Sequence, residues 1–194
     1  TDMAFTRIQP IAKRYQQTIT WKPILVGGVF NSVNQSLYAA RESMFENERR
    51  LTYYMKDLQD WARLCDIKIG WPDFHPVNSV KAMRGCFVAE EAGILIPYAQ
   101  KVFEAYWGDL RDISDDTVLE QITGELGMDQ KAFFEKIQST EYKDKLRHNT
   151  DELIARGGYG SPTLYLDDDD MYFGNDRLPL VEARLATLKR ASPS

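Results

Sequence analysis

The residue types best suited to chemistry lie in two short segments near the end of the chain. The first is Gly160, Ser161, Pro162, Thr163, Leu164, Tyr165, Leu166. A small residue and a proline open an apolar run of strand type, and only before proline is a cis peptide cheap enough to be used as a fixed structural feature. Gly157 and Gly158, just upstream, allow backbone conformations that other residues resist. This segment reads either as an ordinary turn into a strand or as a ligand-binding loop. The second is Gly174, Asn175, Asp176, Arg177, Leu178, ahead of a helical pattern. Asn175 and Asp176 can cap that helix, and an Asp at a cleft edge can also pair with an ammonium group.

Other reactive side chains carry weaker signals. Asp167, Asp168, Asp169 and Asp170 are adjacent carboxylates without the spacing of a calcium loop and read as a solvated turn. His75 and His148 have no His or Cys partner at ligand spacing, so no metal site is expected. Cys65 and Cys86 form neither a C-x-x-C pair nor a metal motif and read as reduced core residues.

The 194 residues are 43% hydrophobic with a formal charge of -5, enough for one core plus a sizeable insertion. With no basic run, neither a nucleic-acid backbone nor an anionic membrane surface is expected as a partner. No apolar run approaches the roughly 18 residues of a membrane span, and no signal-peptide profile opens the chain, so a cytoplasmic location is the expectation. The sequence begins Thr1, Asp2, Met3, Ala4, Phe5, directly in a helical pattern and without an initiator methionine. Residues upstream of it are expected.

The elements that must position these side chains follow from periodicity. Phe5, Ile8, Ile11 and Ala12 predict a helix over residues 3 to 16, kinked or interrupted at Pro10. Thr18 to Val26 predicts a strand ended by Gly27 and Gly28. From about 35 to 157, amphipathic windows predict five or six helices, for example Tyr54, Leu58, Trp61, Ala62 and Cys65 on one face. Strands return at Thr163 to Leu166 and Met171 to Phe173, and a last helix runs from about Arg177 to Lys189. Trp71, Pro72, Phe74, Pro76, Asn78 and Ser79 form a linker explained by core packing and capping by Asn78, or alternatively by a pocket lined by Phe30, Trp71 and Trp107.

The pair Tyr159 to Thr163 and Tyr172 to Leu178 resembles the bacterial 2-hydroxychromene-2-carboxylate isomerases and the related kappa-class glutathione transferases of the DsbA-like thioredoxin superfamily. The stretch from Tyr54 to Ala62, then Asn78, Ser79, Ala82 and Arg84, then Phe103 to Trp107, agree with it. The resemblance implies an α/β thioredoxin-like domain, residues 1–34 and 158–194, with an inserted all-helical domain, residues 35–157, and a first strand lying upstream of Thr1. It implies bound glutathione against a cis Pro162, with a hydroxyl from a Ser-Pro-x-Ser-type motif supporting the thiolate. In that register the serine falls three residues before Thr1, and Thr1 is a possible support. Thr1 would then occupy the second-cysteine position of a C-x-x-C, which disfavours a dithiol oxidoreductase. Ser161 would offer its backbone to the cysteinyl part, and Asn175 and Asp176 would hold the γ-glutamyl end. Arg50, seven residues before Asp57, stands where the family often has a lysine that contacts the tripeptide. Asn34 resembles a family asparagine loosely. Phe30, Trp71, Asn78 and Trp107 are the substrate-pocket residues expected.

The activity implied is glutathione-dependent isomerisation of an aromatic catabolite through reversible thiolate addition. The alternatives are glutathione transfer to an electrophile and a non-catalytic binding protein of the same fold. A small aromatic or electrophilic substrate and a homodimer are the partners expected. A free thiol has a pKa of about 8.5. Lowering it by about two units takes roughly 2.7 kcal/mol, within reach of a hydroxyl and a helix N-terminus.

Overall fold

The computed structural model describes residues 1–36, 47–167 and 169–191. Asp168 of the acidic run and residues 37–46 of the helical region lie outside the described residues. Helix α1 spans Asp2–Arg14 and buries Ala4, Phe5, Ile8, Ile11 and Ala12, the face its spacing predicts. It runs on through Pro10 instead of breaking there, because the remaining hydrogen bonds and one buried apolar face outweigh the single N–H that proline removes.

Among the described residues, 18–25 carry no strand ladder, and helix α2, Val26–Val33, starts where the sequence predicted a strand end. Gly27 and Gly28 therefore sit inside a helix and do not break one. A strand needs a hydrogen-bonded neighbour, and β-type residues alone do not supply it. A Cβ on Gly28 would lie 3.5 Å from the Thr150 methyl, so the small residue suits a helix packed against the segment carrying Thr150.

Helices α3 (Glu48–Leu64), α4 (Val80–Glu91), α5 (Leu95–Phe103), α6 (Asp116–Glu125), α7 (Gln130–Gln138) and α8 (Thr140–Ala155) follow, with a π-turn at Glu104–Gly108. Six helices among the described residues agree with the five or six expected. Asn47, Asp115 and Asp129 start three of them by accepting from the backbone N–H of Arg50, Thr117 and Ala132. Asn78 Oδ1 accepts from Val80 N–H at 3.1 Å just ahead of α4, whose N-cap position is Ser79 and carries no side-chain cap, so the capping expected of Asn78 is not made.

Strands β1 (Thr163–Leu166) and β2 (Asp170–Phe173) form an antiparallel hairpin, with Thr163 opposite Phe173 and Leu166 opposite Asp170. Asp170 belongs to the strand and accepts from Arg184 Nε at 3.0 Å, so the acidic turn is shorter than the sequence implied. A 3-10 turn, Asn175–Arg177, leads into helix α9, Leu178–Ala191.

Among the described residues, the apolar interior falls into two clusters. One holds Ala4, Ile8 and Ile11 of α1, Leu178, Val181 and Leu185 of α9, and Leu164, Leu166 and Tyr172 of the hairpin. The other lies among α4 to α8 around Tyr98, Leu119, Phe133 and Ile137, each at most 1% exposed. The result is a helix-rich α/β fold with a small antiparallel sheet. None of the helices is long and apolar enough to cross a membrane among the described residues.

Candidate functional site

The hairpin brings the two chemically suggestive segments side by side. Its register places Thr163 opposite Phe173, so Pro162 and Gly174 are the next neighbours, and Gly174 N–H donates to Pro162 C=O at 3.1 Å. The Ser161–Pro162 peptide is cis, as the segment predicted; a second cis bond, His75–Pro76, carried no signal read from the sequence.

The loop ahead of Pro162 is pinned from several sides. Thr163 Oγ1 donates to Gly160 C=O at 2.8 Å, and Asn34 Nδ2 donates to Tyr159 C=O at 3.0 Å. A Cβ on Gly160 would stand 3.0 Å from the Phe173 ring and 3.5 Å from that of Phe30, so the chain passes where only glycine fits without displacing a ring. The Tyr159 and Phe173 rings pack at a tilt, 4.4 Å between centroids.

Thr1 stands at the N-cap of α1, and its hydroxyl is 2.9 Å from that of Ser161. Two hydroxyls thus meet beside the cis peptide at the electropositive end of a helix, an arrangement suited to an anion or thiolate. Asp2 follows, buried in the first turn, with its carboxyl pushed up chiefly by burial. An apolar cavity of about 180 Å³ lies alongside, its lining including Phe5, Ile8, Trp21, Ile24 and Ser161 to Leu164.

Gly174 has φ +103°, and a Cβ there would meet Asp176 Oδ1 at 2.7 Å, so glycine lets the carboxylate fold back over the chain. The other Asp176 oxygen accepts from Arg177 Nη1 at 2.5 Å. The capping expected of Asn175 and Asp176 is not made: no side chain caps the 3-10 turn, and Asn175 Oδ1 instead accepts from Arg7 Nη1 at 2.9 Å. Sequence reasoning missed Arg7, whose only local signal is a cation between the buried positions of an amphipathic helix.

Of the residues expected in the site, the structure gathers Thr1, Ser161, Pro162, Asn175 and Asp176 around the hairpin end. Arg50 stands exposed in the first turn of α3, and its described contact is the backbone cap to Asn47. Phe30 lies by Gly160; Trp71 and Trp107, 6.3 Å apart, pack with His75 and Tyr106, the last two joined by a 2.6 Å His75 Nδ1 to Tyr106 Oη hydrogen bond. Asn78 stands just ahead of α4. Both cysteines are buried; desolvation pushes the Cys86 thiol up to about 12 and raises that of Cys65. Among the described residues, no group of three or more His, Cys, Asp and Glu side chains is placed to hold a metal ion.

The chain is similar to known proteins along almost its whole length. A family model described as a DSBA-like thioredoxin domain matches residues 2–186. A 2-hydroxychromene-2-carboxylate isomerase of Pseudomonas putida is 27% identical over 188 residues, 97% of this chain and 89% of that protein. A solved 2-hydroxychromene-2-carboxylate isomerase structure superposes with a TM-score of 0.80 and 26% identity, over 98% of this chain and 90% of the other. Glutathione S-transferase kappa 2 of Caenorhabditis elegans is 43% identical over 53 residues, 25% of this chain and 24% of its own.

Proposed function

Because the chain belongs to the DSBA-like thioredoxin domain family, we propose that it is a glutathione-dependent isomerase acting on 2-hydroxychromene-2-carboxylate-like aromatic compounds. The carrying observation is the pair of hydroxyls, Thr1 and Ser161, at the α1 N-terminus beside cis Pro162, with Asn175 and Asp176 in the adjoining loop. The isomerase relatives match along nearly the whole chain, which favours their reaction class over glutathione transfer.

The residues present suit a γ-glutamyl tripeptide. Its amino-acid end carries an ammonium and a carboxylate, for which the Asp176 carboxylate and the Asn175 amide supply an acceptor and donors. Bound glutathione would supply a thiolate able to add to a conjugated carbon and leave again, so that a double bond becomes rotatable for a time, with no net redox change. The Ser161 backbone and the α1 N-terminus would hold the thiol end, and the Thr1 and Ser161 hydroxyls would donate to its sulfur in the charged form. The expected homodimer, cytoplasmic location and two-domain division belong to the same reading. In support, the apolar interior of the described residues forms two clusters, and Tyr53 and Leu64 of α3 are 67% and 69% exposed, surface that a second copy could cover.

Calorimetric titration of glutathione into the native full-length protein tests the site, alongside Asp176→Ala. Binding in the micromolar to millimolar range that weakens in the variant supports it and leads to chromene carboxylate turnover assays. No binding would leave the non-catalytic reading of the fold.

A further inference from the structure

We propose that Arg7 is the positioning residue that sets the Asn175–Asp176 loop for an α-amino-acid headgroup; this rests on the glutathione reading above. One guanidinium nitrogen, Nη1, donates both to the Asn175 backbone C=O at 3.0 Å and to Asn175 Oδ1 at 2.9 Å. Arginine has no acceptor, so the amide atom turned toward it must be the oxygen. The orientation of Asn175 follows: Nδ2 is turned away from Arg7, and the loop offers amide donors next to the Asp176 carboxylate. Donors beside an acceptor match the carboxylate and ammonium of a free α-amino-acid end, and two acceptors would not.

The guanidinium is itself held. Its central carbon lies 4.7 Å from the centre of the Trp61 ring, a cation–π distance, with Trp61 on α3. Arg7 thus ties three separate pieces of chain together: α1, which carries Thr1, helix α3, and the loop after the hairpin. A planar, always charged side chain suits this task because stacking fixes the plane while the edge donates.

The test compares wild type, Arg7→Met, Asn175→Ala and the double variant in the full-length protein, by glutathione calorimetry, steady-state kinetics and side-chain amide NMR. Arg7→Met should weaken glutathione binding and raise its KM by about tenfold while kcat at saturation stays within about twofold, since the group acts on binding geometry and touches no reacting atom. In the Asn175→Ala background the same substitution should add less than about twofold, because Arg7 acts through Asn175. Without ligand, Arg7→Met should shift the Asn175 side-chain amide resonances. Unchanged resonances, a lowered Tm with wild-type glutathione affinity, or effects that multiply in the double variant would each overturn the proposal. If wild type itself binds no glutathione, the functional reading falls, and the NMR comparison still decides whether Arg7 orients Asn175.

Discussion

The hydroxyls of Thr1 and Ser161, 160 positions apart in the chain, lie 2.9 Å from each other. One stands at the start of α1 and the other in the cis peptide ahead of β1, so this contact joins the helix N-terminus to the hairpin. Thr1→Val removes the hydroxyl at nearly constant volume. Because the bond is exposed, its loss should cost less than about 1 kcal/mol of stability. With less support for a bound thiolate, the acid limb of kcat/KM against pH should move to higher pH; an unchanged profile would remove Thr1 from the site.

Gly174 holds a conformation with φ +103° and ψ 154° that is essentially restricted to glycine, and a Cβ would also strike Asp176 Oδ1. Gly174→Ala should destabilise the fold by about 1–3 kcal/mol. Glutathione affinity should fall further than in variants of equal stability loss elsewhere, as read by urea denaturation and calorimetry together.

At Gly85 two effects compete. Alanine in a helix is worth about 0.5–1 kcal/mol over glycine. Here, however, its Cβ would lie 2.1 Å from Tyr98 Oη and 2.7 Å from Phe133 Cζ, two rings with no exposed surface. Overpacking a filled core costs about 1–3 kcal/mol, so Gly85→Ala should be net destabilising and lower Tm. A raised Tm would show that α4 has room to shift.

Glu91 accepts from Lys136 Nζ at 2.8 Å, Tyr142 Oη at 2.5 Å and Lys145 Nζ at 3.0 Å, which hold its carboxyl down to about 2 from 4.5. A lowered carboxyl pKa contributes stability that is complete above about pH 4.5 and is lost as pH falls toward 2. The side chain is 39% exposed, so screening leaves the network worth about 1 kcal/mol at most. Urea midpoints of wild type and Glu91→Gln should therefore differ at pH 6 and converge toward pH 2.5. A constant gap would mean the loss is one of packing.

The cysteines should be inert in the native state. With both thiols buried and raised, iodoacetamide near neutral pH should leave the intact mass unchanged, and denaturation should expose two sites. Rapid native labelling of Cys65 would indicate local opening of α3.

The sequence alone determined what depends on nearest neighbours along the chain. Ile8 and Ile11 follow the helical period that packs α1; Leu164 and Leu166 alternate as a strand must. The pairing of Ser161–Pro162 with Asn175–Asp176 was legible because both segments are short, unusual in composition and joined by a hairpin. Tertiary structure alone decided what depends on partners from elsewhere. Residues 18–25 have the composition of a strand but no ladder among the described residues, and Gly27 and Gly28 became helical. Arg7 found Asn175 and Trp61, taking Asn175 away from capping. The physical reason is that periodicity and capping are set by the backbone within a few residues. Hydrogen bonds between side chains far apart in sequence exist only once two apolar cores have fixed where α1, α3 and the hairpin stand.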